Sequence, residues 1–356
     1  MNIVISAAGK DWRGTENVTW MMVNGFRRRG HQVLVLCRPG SALQQRLIAA
    51  NIPHAAVLSG LDLDPISLWR CTRALKRFRA DVVITQKDKD IRLSGVAARL
   101  VGVPVLVSHV TDRPLKNKPH YRFFFGKVAT HHVAVSNAVR DTVVKSAPWL
   151  KRDVAVIYNG VDIDEIDAAP PVDLGLGTGA ITVGFVGHFE MRKGIMDFAQ
   201  AWQRVSGEVP NAHAIIVGEG RRAADFHEAM GAAPRVHWLG FRRDVPSIMK
   251  ALDIFVLPSR FEGFGLVVAE AMAARAAVVA YHTSNMPEII TDGADGILVP
   301  PGDVEALAAA VVRLCKDDAL RARLASDARE TAIRRFSADR MVSDYLEEMG
   351  GWREMG

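Results

Sequence analysis

Two carboxylates around a glycine-rich corner form the first chemical pattern in the chain. In "SRFEGFGLVVAEAMAARAAVVAY", residues 259–281, Glu262 precedes an apolar helical run and Glu270 lies inside it. Gly263, Phe264 and Gly265 follow the first acid, and Leu266 opens the run. The preceding "IFVLPS" has the composition of a strand, so "RFEGFG" is the loop at its carboxyl end. Glycines there let backbone approach a ligand, and the first N–H groups of the following helix favour an anion. Positions 266, 270 and 273 share one helix face, which sets Glu270 about one turn behind the loop. A carboxylate there can accept two hydrogen bonds from a vicinal diol such as ribose. The layout fits a molecule with a sugar at one end, a diphosphate in the middle and a ribose at the other. The alternative is a salt-bridged surface acid and an ordinary helix entry.

A second loop, "VGFVGHFEMRKG", residues 183–194, puts His188, Arg192 and Lys193 beside a glycine turn. A helix is predicted to begin near Gly194, so positive side chains and helix-end amides together favour a diphosphate. "VGEG" (217–220) and "LGF" (239–241) are further glycine turns at strand ends, read equally as plain turns or as walls of a nucleobase pocket.

The elements that must position these loops repeat along the chain. "NIVIS", "QVLVLC", "DVVITQ", "PVLVSH", "HHVAVS" and "VAVIYNG" are strand candidates in the first half. "ITVGFVG", "HAIIVGEG", "RVHWLG", "IFVLPS", "AAVVAY" and "GILVPP" continue the series in the second. Apolar at nearly every residue and interleaved with helical periodicity, they predict parallel strands covered on both faces. The fold class is α/β, as two doubly wound, Rossmann-like domains facing a cleft. Residues 1–170 form the first domain, 171–335 the second, and 336–356 a helix returning to the first. The boundary lies in "DIDEIDAAPPVDLGLGTGA", residues 162–180, where Pro and Gly cluster. In such sheets ligands sit beyond the carboxyl ends of the strands, hence in the cleft.

Composition narrows the class. The chain has 356 residues, 49% of them hydrophobic, and suits two moderate domains with real cores. No apolar run reaches the roughly 18–20 residues of a spanning helix. "MNIVISAAGK" reads as a first strand and not as a signal peptide. Three scattered cysteines (Cys37, Cys71, Cys315) lack metal spacing and indicate a reducing, cytoplasmic compartment. Residues 1–170 carry 25 Lys and Arg against 14 Asp and Glu, whereas the remainder carries 20 against 25. The basic half suits an anionic partner, or is simply a solvated surface.

"NGVD" (159–162), "VGHFEMRKG", "VGEG", "LGF", "LDIFVLPSRFEGFGLVVAEAMA" and "PEII-TDGADGILVPPGD" together resemble the retaining glycosyltransferases of family 4, which have the GT-B fold. The likeness covers nearly all of the second domain. Over the first it rests on "RGTE", "GHQVLVL" and the "SH" after a strand. It implies transfer of a hexose-type sugar from a UDP- or GDP-sugar, with retained configuration, to a glycan or lipid-linked acceptor. It implies no metal and no cofactor, the nucleotide-sugar being a substrate. On this pattern Glu262 contacts the donor sugar and the amides of Gly263 to Leu266 the sugar and phosphates. Glu270 then holds the ribose and Lys193 the diphosphate. The departing diphosphate takes the acceptor proton while Lys193, Arg192 and helix-end amides stabilise its charge. A role in bacterial surface polysaccharide or lipopolysaccharide synthesis is expected.

Two departures stand out. The family usually reads Gly-Arg where this chain has Gly187-His188, so either Arg192 or a protonated His188 supplies that charge, or donor affinity is reduced. "HTSNMPE" lacks the glycine pair often seen before Pro-Glu, which leaves open whether Ser284 and Asn285 touch the ligand.

In the first domain "GKDWRGTENV" follows the first strand, and Gly14 is expected to face the donor. His109, ending "PVLVSH", aligns with the family's histidine near the anomeric carbon, while Asp112 stands three residues on. Three Asp-x-Asp pairs invite a metal: Asp62/Asp64, Asp88/Asp90 and Asp162/Asp164. Asp64 before Pro65 reads instead as a helix cap, Asp90 as a cap of the next helix, and Asp162 as part of the "NGVD" turn. His131 and His132 point to opposite faces of a strand. Residues 113–127 mix six basic residues, His120 included, with four aromatics. They suit an anionic bilayer or a lipid-linked acceptor, or else Phe123–Phe125 face the core. Arg70, Arg73, Lys76 and Arg77 make a similar basic helix face, so attachment to the inner face of the cell membrane is a further expectation.

Competing classes fit less well. A nicotinamide dehydrogenase needs Gly-x-Gly-x-x-Gly after the first strand, and "ISAAGKDWRG" lacks it. Nucleic-acid binding leaves the "FEGFG" block unexplained. A glycan phosphorylase, or a basic anion-binding protein with a lapsed donor site, remains as the alternative.

Overall fold

The structure is a computed structural model describing residues 1–59, 64–87, 90–109 and 113–354, except the side chains of Ser108, His109 and residues 352–354. Asp62, Asp88 and Asp112 lie outside the described residues. The chain divides into two units, Met1–Gly160 with Ala338–Gly356, and Val161–Ser337.

In the first unit seven parallel strands are ordered β3-β2-β1-β4-β5-β6-β7. They are β1 (Asn2–Ala7), β2 (Gln32–Cys37), β3 (His54–Ala56), β4 (Val82–Thr85), β5 (Val105–His109), β6 (His131–Ala134) and β7 (Val154–Val156). The second sheet, β10-β9-β8-β11-β12-β13, is also parallel. Its strands are β8 (Ile181–Val186), β9 (Ala212–Val217), β10 (Val236–Gly240), β11 (Ile254–Leu257), β12 (Ala277–Tyr281) and β13 (Ile297–Val299). β8 and β11 are wholly buried, as near-continuous apolar composition requires of central parallel strands. β3 was not legible in the sequence: it is three half-buried residues at a sheet edge, without a β-branched side chain.

Six helices matter below: α1 (Gly14–Arg28), α2 (Pro65–Phe78), α3 (Ile195–Glu208), α4 (Leu266–Ala273), α5 (Asp318–Phe336) and α6 (Ala338–Glu354). α2 starts where Asp64 accepts from the Ile66 and Ser67 amides, with Pro65 in the first turn. Asp90 does not cap a helix: its backbone is already helical and its side chain makes no cap. Its buried carboxylate accepts from the Ala8 N–H at 3.1 Å, tying β1 to the segment after β4, and burial pushes its pKa up to about 7.

The division between units falls at Gly160, ahead of the Pro/Gly cluster. Val161 N–H donates to Phe336 O at 2.7 Å, and Asp162 caps the Ile163–Ala168 helix through the Glu165 amide. Asp167 pairs with Arg329 on α5 at 2.6 Å. Residues 161–180 therefore pack in the second unit, and the cluster is an exposed strap within it. α6 packs on α1 in the first unit, with Tyr345 edge-on to Phe26 and Val342 over Gly25.

Candidate functional site

Strand order fixes which loops meet. In the second sheet the connections leave β8 toward one edge and β11 toward the other, so the β8–β11 boundary is the switch point where such sheets hold ligands. The loop after β8 carries His188, Arg192 and Lys193, and the loop after β11 carries Glu262. Residues 69 positions apart thereby become neighbours.

Phe189 anchors the first loop. It is buried against Phe226 (centroids 5.2 Å) and Trp238 (6.2 Å), and its N–H donates to Glu219 O. A short 3₁₀ turn at Met191–Lys193 then leads into α3 through Gly194. Gly194 has φ 69°, and a Cβ there would fall 1.9 Å from Pro258 O, so only glycine lets the two loops touch. Arg260 N–H donates to Arg192 O at 2.8 Å across the same contact.

At the centre Lys193 Nζ donates to Glu262 Oε1 at 2.5 Å, with both side chains about nine-tenths buried. Arg192 lies 3.7 Å from the other Glu262 oxygen, and its Nε donates to Glu190 at 2.7 Å. Glu190 also faces His188 Nε2 at 3.7 Å. The cluster is thus a five-residue electrostatic network and not two isolated cations. Glu190 was not singled out in the sequence; its alternation with His188 and Arg192 was the available signal. Arg192 and His188 together hold Glu190 below the usual carboxylate range against the opposing push of its burial.

Gly265 enters α4 with φ 85°, and a Cβ there would meet Met286 Cε at 2.7 Å. α4 has no side-chain cap hydrogen bond at its N-terminus. Phe264 is buried against Phe336, while Gly263 and Leu266 are half-buried. Glu270 lies a turn further on. Part of the residue reaches solvent, yet dense packing around its carboxylate, with a smaller push from Glu165, raises its pKa to about 7. Behind this loop Arg260 and Tyr281 converge on Asp197 of α3 at 3.2 and 3.0 Å, a buttress that sequence periodicity did not reveal. Ser284 Oγ donates to Glu262 O and Asn285 Nδ2 to Phe264 O, so both side chains serve the loop.

In the first unit Gly14 is the exposed first residue of α1. His109 ends β5, paired with Ala134, and its side chain lies outside the described residues. Of the aromatics at 123–125, Phe124 and Phe125 are buried and Phe123 is 53% exposed. His132 is buried with its Nε2 at Phe125 O, and His131 contacts Thr130. No cluster of three metal-ligating side chains occurs among the described residues, and no helix there is long and apolar enough to cross a membrane.

Comparison with known proteins bears on this arrangement. Residues 12–165 match the family model described as Glycosyltransferase Family 4, and residues 180–317 that of Glycosyl transferases group 1. The chain is 28% identical over 341 residues to the lipopolysaccharide core biosynthesis glycosyltransferase LpsD of Rhizobium meliloti, covering 94% of each. It is 28% identical over 280 residues to the UDP-Gal:alpha-D-GlcNAc-diphosphoundecaprenol alpha-1,3-galactosyltransferase of Escherichia coli, covering 72% of each. The structure of HepE from Anabaena, solved with UDP and glucose, superposes with a TM-score of 0.82 at 22% identity, over 99% of this chain and 100% of that one. With both of its α/β units matched and relatives aligned along most of its length, the chain belongs to the family 4 glycosyltransferases of GT-B fold.

Proposed function

We propose that the protein is a retaining, metal-independent hexosyltransferase that takes a UDP- or GDP-sugar and extends a glycan or lipid-linked acceptor in bacterial surface polysaccharide or lipopolysaccharide synthesis. The observation that carries this reading is the buried Lys193–Glu262 pair at the β8–β11 switch point, with Arg192 beside it and the N-terminus of α4 behind. Lys193 and Arg192 supply the positive charge that a leaving diphosphate needs, in place of a metal. Glu262 accepts hydrogen bonds from sugar hydroxyls, and Glu270 accepts from the ribose diol. The family resemblance assigns His109 to the anomeric carbon and Gly14 to the phosphates. For retention, the acceptor hydroxyl attacks the anomeric carbon on the face from which the diphosphate leaves. The carbon–oxygen bond to the diphosphate breaks, a bond to the acceptor oxygen forms, and the hydroxyl proton passes to the departing diphosphate. The names of the relatives favour UDP as the nucleotide and a lipid-linked or lipopolysaccharide acceptor.

A membrane-facing role has its own support. On α2, Ile66 and Trp69 are about 60% exposed beside exposed Arg70, Arg73, Lys76 and Arg77, and Arg73 lies 5.5 Å over the Trp69 ring. An apolar edge among cations suits the anionic inner leaflet, where a lipid-linked acceptor is presented.

The deciding experiment is calorimetric titration of UDP, GDP, ADP and CMP with metal chelated, on the wild type and Glu270→Ala. One nucleotide bound tightly and weakened at least tenfold by the substitution is the expected result. Binding of none removes the transferase reading and leaves the anion-binding alternative. Phosphate-dependent release of a sugar phosphate would instead favour a phosphorylase.

A further inference from the structure

Three consecutive side chains after β12 grip alternate carbonyls of the loop that carries Glu262. Thr283 Oγ1 donates to Arg260 O at 3.0 Å, Ser284 Oγ to Glu262 O at 2.9 Å, and Asn285 Nδ2 to Phe264 O at 2.5 Å. The gripping segment is a tight turn, closed by Met286 N–H to Thr283 O, with Ser284 at φ 50°. A serine held in the left-handed region costs on the order of 1 kcal/mol, so the turn retains a strained residue whose hydroxyl is in use.

The consequence follows from peptide geometry. In a trans peptide the N–H of a residue points opposite to the carbonyl before it. The chain has no cis bonds among its described residues. Turning the carbonyls of Arg260, Glu262 and Phe264 toward the ladder therefore turns the N–H groups of Phe261, Gly263 and Gly265 to the other side. Peptide N–H groups turned to one side of a loop favour electronegative oxygens there.

We infer that Thr283, Ser284 and Asn285 are positioning residues, a side-chain ladder that fixes the Glu262 loop so that its alternate amides face the hydroxyls of the donor sugar. The inference rests on the donor-site reading above and assigns the three residues to the sugar end of the ligand. Lys193, on the loop after β8, takes the diphosphate and owes its placement to Gly194 and Phe189. The ladder thus acts mainly on the sugar's share of affinity, the diphosphate being held chiefly by Lys193 and Arg192. A glycine at 284 would relax the backbone and lose the rung.

The test uses the full chain and four variants: Thr283→Val, Thr283→Ser, Ser284→Gly and the Thr283→Val/Ser284→Gly pair. UDP and UDP-glucose are titrated calorimetrically, and amide exchange of the 259–266 and 188–194 segments is followed by mass spectrometry. In the double variant, UDP affinity should stay within about twofold while the preference for UDP-glucose over UDP falls about tenfold, or ~1.4 kcal/mol. Exchange should quicken in 259–266 alone, and Thr283→Ser should behave as wild type. Ser284→Gly matching wild type in both readouts overturns the inference, since the Ser284 hydroxyl would then be dispensable. Equal loss of UDP and UDP-glucose also overturns it, because that is general damage. Should the wild type bind neither these probes nor GDP, the donor-site reading fails, and unchanged exchange of 259–266 would separately sink the ladder.

Discussion

Breaking the Lys193–Glu262 pair from one side should cost far more than removing it whole. Lys193→Met takes away the ammonium 2.5 Å from Glu262 and leaves a carboxylate that is only 8% exposed. Losing one partner of a buried pair costs about 3–5 kcal/mol, because the remaining charge stays desolvated. Arg192 at 3.7 Å recovers part of that, so ~3 kcal/mol is the expectation. For a unit of this size each kcal/mol moves Tm by about 2–4 °C, which gives a drop of roughly 6–12 °C. Glu262→Leu alone should cost a similar amount by stranding Lys193. The double variant should regain most of it, since apolar replacement of a buried pair is often neutral. Scanning calorimetry of the four proteins gives the coupling energy, expected to be at least ~2 kcal/mol. Simple additivity, or a Tm for Lys193→Met within a degree of wild type, would refute the buried pair and with it the geometry on which the donor site depends. All three variants should lose transfer activity, so stability and function separate in the double variant alone.

Two further outcomes follow from charge placement. Glu270, raised from 4.5 to about 7, binds more protons folded than unfolded between those values, so stability should fall as pH climbs through that window. Glu270→Gln should flatten its share of the slope and gain up to about 3 kcal/mol at pH 8; parallel urea midpoints for both proteins across pH 4–8 would contradict the burial. On α2, Trp69→Ala with Arg73→Glu should cut sedimentation with phosphatidylglycerol vesicles several-fold while calorimetric binding of UDP is unchanged. Equal binding to neutral phosphatidylcholine vesicles would remove the electrostatic part of the membrane proposal.

Local pattern carried most of the fold and the chemistry of single loops. Near-continuous apolar runs at β8, β11 and β12 announced buried parallel strands, and the glycines around Glu262 and Lys193 marked loops made for close approach. These signals are legible because strand burial and turn chemistry are written within a few neighbouring residues. What needed the tertiary structure was every pairing across the sheet. That Lys193 meets Glu262 depends on β8 lying next to β11 and not beside β12, and no periodicity encodes strand order. Glu190 shares Arg192 with Glu262, a division of charge that sequence alone left between Arg192 and His188. Asp90 looked like a cap because its neighbours suit a helix, yet burial beside the Ala8 amide gave it another role. The unit boundary moved ahead of the Pro/Gly cluster because Val161 and Asp167 found partners on α5 and the chain just after it, while Asp162 capped the helix between them. Ser284 and Asn285 had no recognisable motif, and their work appears only where β12 brings them against a loop some twenty residues earlier. Sequence sets what each segment can be; long-range packing decides which segments share a site, because the free energy of burying a charge or filling a hydrogen bond depends on neighbours that the chain meets only after it folds.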